Sequence, residues 1–417
     1  MEEFIKFLKE RVESYAVLKN EVVSTVVKIV DSKVEAVQRI KETSYNVMVR
    51  KGSRFLVSKV YTPEQLREGL GIMDKLPESR IVPKVHELSG ERRSVKEDDG
   101  ILRFMSDTSS VEDFLNSRYQ VHGVLSASRF KRELVTSAGF HGNESRTWFQ
   151  GYMRVRNGQY SGQWAFSSPK YDPEKVKITL NKAEEYASYT ERIDLGDGYY
   201  DVVLSPMVMA NLMMSVSYMA SGYSIFTGNS IFANRKPGDM VGSEKFTLMD
   251  RPRGEELNSW DFDDEGFPTR DKAIISNGVY ETPLLNLEIA EIMGKESTGN
   301  AGWIYPRPWT LEVKEGEVSE EGLLSGNVVL LTNNWYTRFQ NRADGQFSTV
   351  ARDAVIVFKG GKPVGTTSRV RIADKLNNII SNVEELSKER YSIAWWDAPL
   401  PGVYPYTLIK NVHLSKA

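Results

Sequence analysis

Hydrophobic and polar positions change period along the chain. Phe4, Leu8, Val12 and Tyr15 recur at helical spacing, which predicts an amphipathic surface helix packed on a sheet. From Val22 to Tyr61 the period shortens. The runs TVVKIV, VEAVQRI, YNVMVR and RFLVSKVY are β-branched, with turn signals at Asp31-Ser32 and Lys51-Gly52; they predict a meander of antiparallel strands. Thr62, Pro63 and Gln65 then supply the cap, the first-position proline and the capping box of a helix. Residues 89–100 are charged and glycine-containing, with little to bury, and predict a linker or mobile loop. A second strand-rich stretch runs from Gly123 to Phe166, with a hairpin signal at Asn157-Gly158. Asp172-Pro173 opens a helix over 172–187, and the acidic loop around Asp194–Gly198 marks a boundary. Strand signals dominate the C-terminal half, with hairpins predicted at Asn277-Gly278 and Gly360-Gly361 and helices at 284–293, stopped by Gly294, and at 373–389. No internal repeat or low-complexity segment interrupts the pattern. The fold class predicted is α+β in three units. Residues 1–92 form an N-terminal α/β region with the meander, 93–190 a second strand-rich region, and 191–417 a strand-rich C-terminal domain.

One segment has no clear period. MVMANLMMSVSYMAS, residues 207–221, holds five of the chain's 13 methionines. Ser205 and Pro206 precede it as N-cap and first-position proline, and Gly222 follows as a C-terminal stop. The helix so bounded spans roughly 16 residues, about 24 Å. A bilayer core needs about 20 apolar residues, and Asn211, Ser215 and Ser217 break the run further, so a membrane span is excluded. A helix apolar nearly all round, with a thin polar stripe at Asn211, Ser215 and Ser221, predicts a buried core helix.

Composition narrows the function classes. The 417 residues are 40% apolar and 26% charged, as in globular proteins, and long enough for two to three domains. Lys and Arg number 54 and Asp and Glu 56, a net charge of -2, so no bulk basic field exists to hold nucleic acid. With no cysteine there is no disulfide, thiolate nucleophile or sulfur-ligated metal. The N-terminus is acidic within three residues and lacks a signal-peptide core; together with the missing cysteine this predicts a cytoplasmic protein without a membrane partner.

Candidate chemistry is sparse. In DFDDEG, Asp261, Asp263, Glu265 and Gly266 fall at calcium-loop positions, but the twelfth position is Lys272 rather than Glu. The cluster Asp261–Glu265 therefore reads as a solvated turn leading into Pro268. The histidines are His86, His122, His141 and His413, and only His141 has a carboxylate close by, Glu144; no H-E-x-x-H helix exists. Ser128-x-x-Lys131 lacks its companion motifs, KGGK at 359–362 lacks phosphate-loop spacing, and Trp395-Trp396 fits a strand burying alternate aromatics. Two stretches, ESTGNAGW (296–303) and TNNWYTRFQNRADGQFS (332–348), could offer backbone N–H and side-chain amides to an extended chain, or could be loops held by their own hydrogen bonds.

The block FDDEGFPTRDKAIISNGVYETPLLNLEIAEIMGKESTGNAG resembles the signature of the TldD/PmbA (TldE) family, once called modulators of DNA gyrase. SIFANRKPGDMVGSEKFTLMD (230–250), DGQFS (344–348) and VRIADKLNNIISNVEEL (370–386) resemble further family elements. The resemblance implies a pair of similar chains forming a two-subunit metallopeptidase that acts on unfolded peptides. Its catalytic chain carries H-E-x-x-x-H on a helix, with a cysteine completing the zinc site. Counted back from Ser230 without gaps, that motif falls near Met213, Met214 and Tyr218, none of which binds zinc as an anion or imidazole. The resemblance therefore implies the TldE/PmbA-like partner: no cofactor of its own, with zinc only in a TldD-like subunit. Ser297, Thr298, Gly299 and Asn300, with Asn333, Asn334 and Trp335, are expected to face the peptide cavity or the subunit interface. Alternatives are a stand-alone homodimer that binds peptides, or a metal-free hydrolase using Asp263, Asp264 or Glu265. Direct action on a DNA topoisomerase gains no support from the balanced charge.

Overall fold

The computed structural model describes residues 1–87, 89–254, 259–367 and 369–417. A short helix, α1 (Glu2–Lys9), buries Phe4 and Leu8. It ends earlier than its periodicity predicts: Tyr15 already lies in β1 (Ser14–Val30), because the next residues pair with β2 (Lys33–Lys51) over 17 positions. Asp31 and Ser32 turn between them with φ of 47° and 60°, the twist that suits a tight hairpin. The two runs read as separate strands, 34–40 and 45–50, are one continuous β2. β3 (Arg54–Val60) completes the meander, and α2 (Pro63–Gly71) follows with Thr62 accepting from the Gln65 amide.

The predicted linker at 89–100 is instead strand β4 (Gly90–Lys96), running parallel to β6, followed by the start of α3 (Asp99–Ser106). An edge strand can be charged throughout because solvent takes one face and one side. β5 (Gln120–Thr136), β6 (Phe140–Asn157) and β7 (Tyr160–Ser168) finish the first sheet, ordered β3-β2-β1-β5-β6-β4 with β7 also on β6. This sheet takes strands from both sides of residue 92. α4 (Pro173–Ser188), capped by Asp172, lies against β7 and β6.

The second sheet begins with β8 (Gly198–Leu204). Ser205 caps α5 (Pro206–Met219), and α6 (Gly222–Phe226) follows at once. Gly222 thus opens a helix rather than closing one; a Cβ there would sit 2.5 Å from Leu285, so close packing demands glycine. Next come β9 (Leu248–Asp250), β10 (Lys272–Ser276), β11 (Val279–Tyr280), α7 (Leu287–Ile292), β12 (Leu311–Val313) and α8 (Glu320–Leu323). The sheet is completed by β13 (Val328–Asn341), β14 (Gln346–Lys359), β15 (Lys362–Thr367) and β16 (Val370–Lys375). After them come α9 (Leu376–Ser381), β17 (Val383–Trp395) and β18 (Ala398–Lys416). Of the predicted helix over 373–389 only α9 is helical; 373–375 end β16, and 383–389 belong to β17, drawn into a hairpin with β18. Strands β8, β13, β14, β16 and β18 pair in a closed ring. Along β14, Phe347, Thr349 and Ala351 are buried while Gln346 and Arg352 are exposed, the alternation of a ring filled on one face only.

One core joins the two sheets, and α5 supplies Met207, Met209, Leu212, Met213, Val216 and Met219 to it. The fold is α+β and strand-rich, as the pattern predicts. No helix among the described residues is long and apolar enough to cross a membrane.

Candidate functional site

Helix α5 is fixed at its start. The Ser205 hydroxyl accepts from the Val208 amide and donates to the Thr332 carbonyl at 2.6 Å, tying the helix to β13. Of the three positions expected to replace a metal site, Met213 is fully buried, Met214 is partly buried and Tyr218 is 44% exposed. A thioether in a core and a phenol at the surface do not make a zinc centre, which needs imidazole, thiolate or carboxylate. Among the described residues no group of three or more His, Cys, Asp or Glu is placed to hold a metal ion. The histidines are scattered. His86 meets the Phe267 ring, His122 lies 3.5 Å from Asp31, and His413 meets the Tyr199 ring. His141 pairs with Glu133 at 3.0 Å, not with Glu144; three residues apart on β6, His141 and Glu144 point to opposite faces. Among the described residues, none of these positions offers the donor set a zinc ion needs.

Beside α5 lies a polar hub. The Asn334 amide donates to Asn211 at 3.0 Å, Thr337 at 3.1 Å and Thr349 at 2.9 Å. Thr337 also donates to Asn211 Oδ1 at 2.6 Å, and the Asn211 amide reaches the Asp397 carbonyl at 2.7 Å. The Asp397 carboxyl, half-buried, accepts from the Tyr336 amide; desolvation raises its pKa despite that bond. Asn333 donates to Asp353 at 2.7 Å, and Arg154 of β6 pairs with the same carboxylate at 2.9 Å. Tyr336 (φ 59°) and Asp353 (φ 54°) hold left-handed backbone that non-glycine residues rarely adopt, next to register shifts in the β13–β14 ladder. Such strain concentrates at functional positions. Outside the hub, Trp335, Tyr336 and Trp396 form an aromatic cluster with ring centroids 5.2–6.3 Å apart. Tyr336 and Trp396 are exposed. The hub's remaining members, Asn211, Thr337, Thr349, Asp353 and Arg154, carry no spacing signal, since four separate elements, α5, β13, β14 and β6, supply them.

The other predicted loop is elsewhere and closed. Ser297, Thr298 and Asn300 are buried. Thr298 Oγ accepts from the Leu285 amide at 2.7 Å and donates to Asn300 Oδ1 at 2.8 Å. The Asn300 amide reaches Asp250 at 2.7 Å, and Ser297 donates to the Leu285 carbonyl. Gly299 takes φ 71°, with the Pro268 carbonyl where a Cβ would lie. Their hydrogen bonds go to their own chain, so none of the three side chains is open to a peptide. Asn333 and Asn334 are buried in the hub, and Trp335 stands at its rim.

The acidic cluster is also not a solvated turn. Asp263, Asp264 and Glu265 are all buried. Asp263 accepts from the backbone amides of Glu265, Phe267 and Ala301 at 2.9–3.0 Å. Asp264 takes Arg307 at 3.1 Å and lies 3.5 Å from Arg132, which pairs with Glu144 at 2.8 Å. Arg132 also donates to the Phe262 carbonyl and lies 4.6 Å from the Trp260 ring centroid. Glu265 accepts from the Leu287 amide at the start of α7. Burial, with Asp264 beside it, pushes Asp263 up to about 7, and burial followed by the Asp263 charge pushes Glu265 well above the carboxylate range. Enclosure denies these groups a substrate, so they clamp the C-terminal domain to β5 and β6 of the first sheet.

With this geometry in place, the relatives can be compared. The family model described as the PmbA/TldA metallopeptidase C-terminal domain matches residues 197–416. Among curated relatives, a metalloprotease of Methanothermobacter thermautotrophicus is 30% identical over 105 residues, 25% of this chain and 23% of its own. A metalloprotease of Methanocaldococcus jannaschii is 32% identical over 146 residues, 31% of this chain and 32% of its own. A metalloprotease PmbA homolog of Haemophilus influenzae is 34% identical over 131 residues, 31% of this chain and 29% of its own. The chain thus spans about a quarter to a third of these relatives' lengths. Among solved structures, TldE from Thermococcus kodakarensis superimposes with a TM-score of 0.82 at 18% identity, covering 100% of this chain and 99% of that one. A Thermotoga maritima protein described as a candidate modulator of a DNA gyrase gives 0.79 at 18% identity, covering 99% and 100%. At such identities the likeness speaks for the fold. The family model spans more than half the chain, and on that ground the chain belongs to the PmbA/TldD metallopeptidase family.

Proposed function

We propose that this chain is the non-catalytic, TldE-like subunit of a two-subunit metallopeptidase that acts on unfolded peptides. A TldD-like partner would carry the zinc. The observation that carries this reading is the face of α5, where the expected metal positions hold Met213, Met214 and Tyr218 in a chain without cysteine. A helix that gave up its ligands but kept its cap, its proline and its place in the core retains a structural task. The exposed aromatic rim at Trp335, Tyr336 and Trp396 beside that helix would face the peptide, while the 297–300 loop supports the domain clamp. Peptide handling fits the rim, because extended chains are gripped by aromatic anchors beside hydrogen-bonding groups.

The test is co-expression with a TldD-like chain. A one-to-one complex should form and degrade an unfolded peptide, while the present chain alone leaves it intact. Cleavage by the lone chain, or failure of any pair to form, would sink the assignment.

A further inference from the structure

The ring of β8, β13, β14, β16 and β18 has an outer face that meets Arg154 of β6 at Trp335 and is exposed at Arg338, Arg352 and Arg371. Cross-strand pairing fixes who shares it. Trp335 stands opposite Val350, Val350 opposite Arg371, and Arg338 opposite Ser348, with Arg352 two residues beyond Val350. Arg338, Arg352 and Arg371 are all exposed, and none makes an ion pair among the described residues. In a chain of net charge -2, three unneutralised guanidiniums on one sheet face form a local positive field with no internal purpose. Of the nearby carboxylates, Asp353 is paired with Arg154, while Asp344 and Asp374 accept from the neutral amides of Asn341 and Asn378 rather than from these arginines.

Trp335 anchors the patch. The guanidiniums of Arg154 and Arg352 lie over its ring at 4.6 and 4.9 Å from the centroid. Its indole N–H is buried without a hydrogen-bond partner, as is Asn333 Oδ1. We propose that this face binds an extended, acidic stretch of polypeptide, its carboxylates lying on Arg338, Arg352 and Arg371 beside Trp335. The proposal rests on the peptide-handling role above and narrows its substrate to acidic segments. Guanidiniums prefer carboxylate through paired N–H donors. A nucleic acid fits less well, because base stacking needs a free ring face and Trp335 already lies under two cations.

The test uses the full chain alone. Fluorescence anisotropy follows a labelled, unstructured Glu/Asp-rich peptide, its Gln/Asn counterpart and an oligothymidylate. The acidic peptide should bind at low salt and weaken as salt rises, and the amide counterpart should bind at least about tenfold more weakly. The double variant Arg338→Gln/Arg371→Gln should lose about tenfold in affinity with an unchanged melting temperature, while Arg352→Lys keeps most of the binding. Equal binding of acidic and amide peptides, insensitivity to the double variant, or displacement of the peptide by the oligothymidylate would overturn the proposal. No cleavage enters this measurement. An acidic peptide that binds here while the two-chain complex proves inert would reject the peptidase role and leave this site standing.

Discussion

Arg132 is the side chain on which most of the domain clamp converges. It is 3% exposed and serves Glu144, Asp264 and the Phe262 carbonyl together. Removing one member of a buried ionic set leaves its partners charged and unpaired, at about 3–5 kcal/mol. Arg132→Ala should therefore lower the denaturation midpoint by that amount in urea melts; a loss under about 1 kcal/mol would mean the carboxylates find water instead. Glu265 gives a test in pH. Its folded pKa is raised, so the native state holds a proton that the unfolded chain releases from about pH 4.5 upward. Stability from this group is therefore greatest at low pH and falls as pH rises toward the folded pKa; Asp263, raised to about 7, acts in the same direction. Glu265→Gln should flatten the decline of melting temperature between mildly acidic and mildly alkaline pH, and an unaltered slope would contradict this origin. In the hub, Asn334→Ala removes the amide that serves Asn211, Thr337 and Thr349, costing about 2–3 kcal/mol by the same melts. None of this burial was legible in the sequence. DFDDEG looks like a surface turn because its counter-ions are far off in the chain: Arg132 sits on β5 of another sheet, 132 residues before Asp264, and Arg307 43 residues after it.

Elements announced themselves where local chemistry decides. Asp31-Ser32, Asn277-Gly278 and Gly360-Gly361 all turn with positive φ as their residue types require, and Thr62, Asp172 and Ser205 all cap the helices they precede. Where tertiary pairing decides, the local pattern misled. Residues 382–389 look helical, yet the partner strand β18 draws them into a ladder, and the charged 90–96 segment becomes a strand because β6 offers it an edge. Helix α5 was legible in its cap and its burial, but only partly in its outward face: Ser215 of the predicted stripe lies there with Met214 and Tyr218, while Asn211 and Ser221 are buried. Its two kinds of position should behave differently. Met213→Ala should cost about 2–5 kcal/mol through a core cavity, whereas Tyr218→Ala should stay within about 0.5 kcal/mol. Similar costs at both sites, measured by chemical denaturation, would mean that Tyr218 is packed rather than free.

For the whole molecule, the shared core of two sheets and the ionic clamp make one rigid frame around a strained, aromatic rim. Residues 261–302 hold that frame together: their acids reach the first sheet, and their Ser-Thr-Gly-Asn loop closes on Leu285 and Asp250. The stretch by which the chain resembles its family is thus architectural, and the proposed peptide-facing rim lies where β13 passes α5. On the proposed subunit assignment, a frame that holds Met213, Met214 and Tyr218 on this helix would give a two-chain peptidase a second wall rather than a second active site. The most direct test is the rate of unfolded-peptide degradation by the purified chain, by a TldD-like chain, and by the two at one-to-one ratio. The subunit assignment predicts no degradation by the purified chain and robust, zinc-dependent degradation by the pair. Turnover by this chain alone, undiminished by a metal chelator, would contradict it.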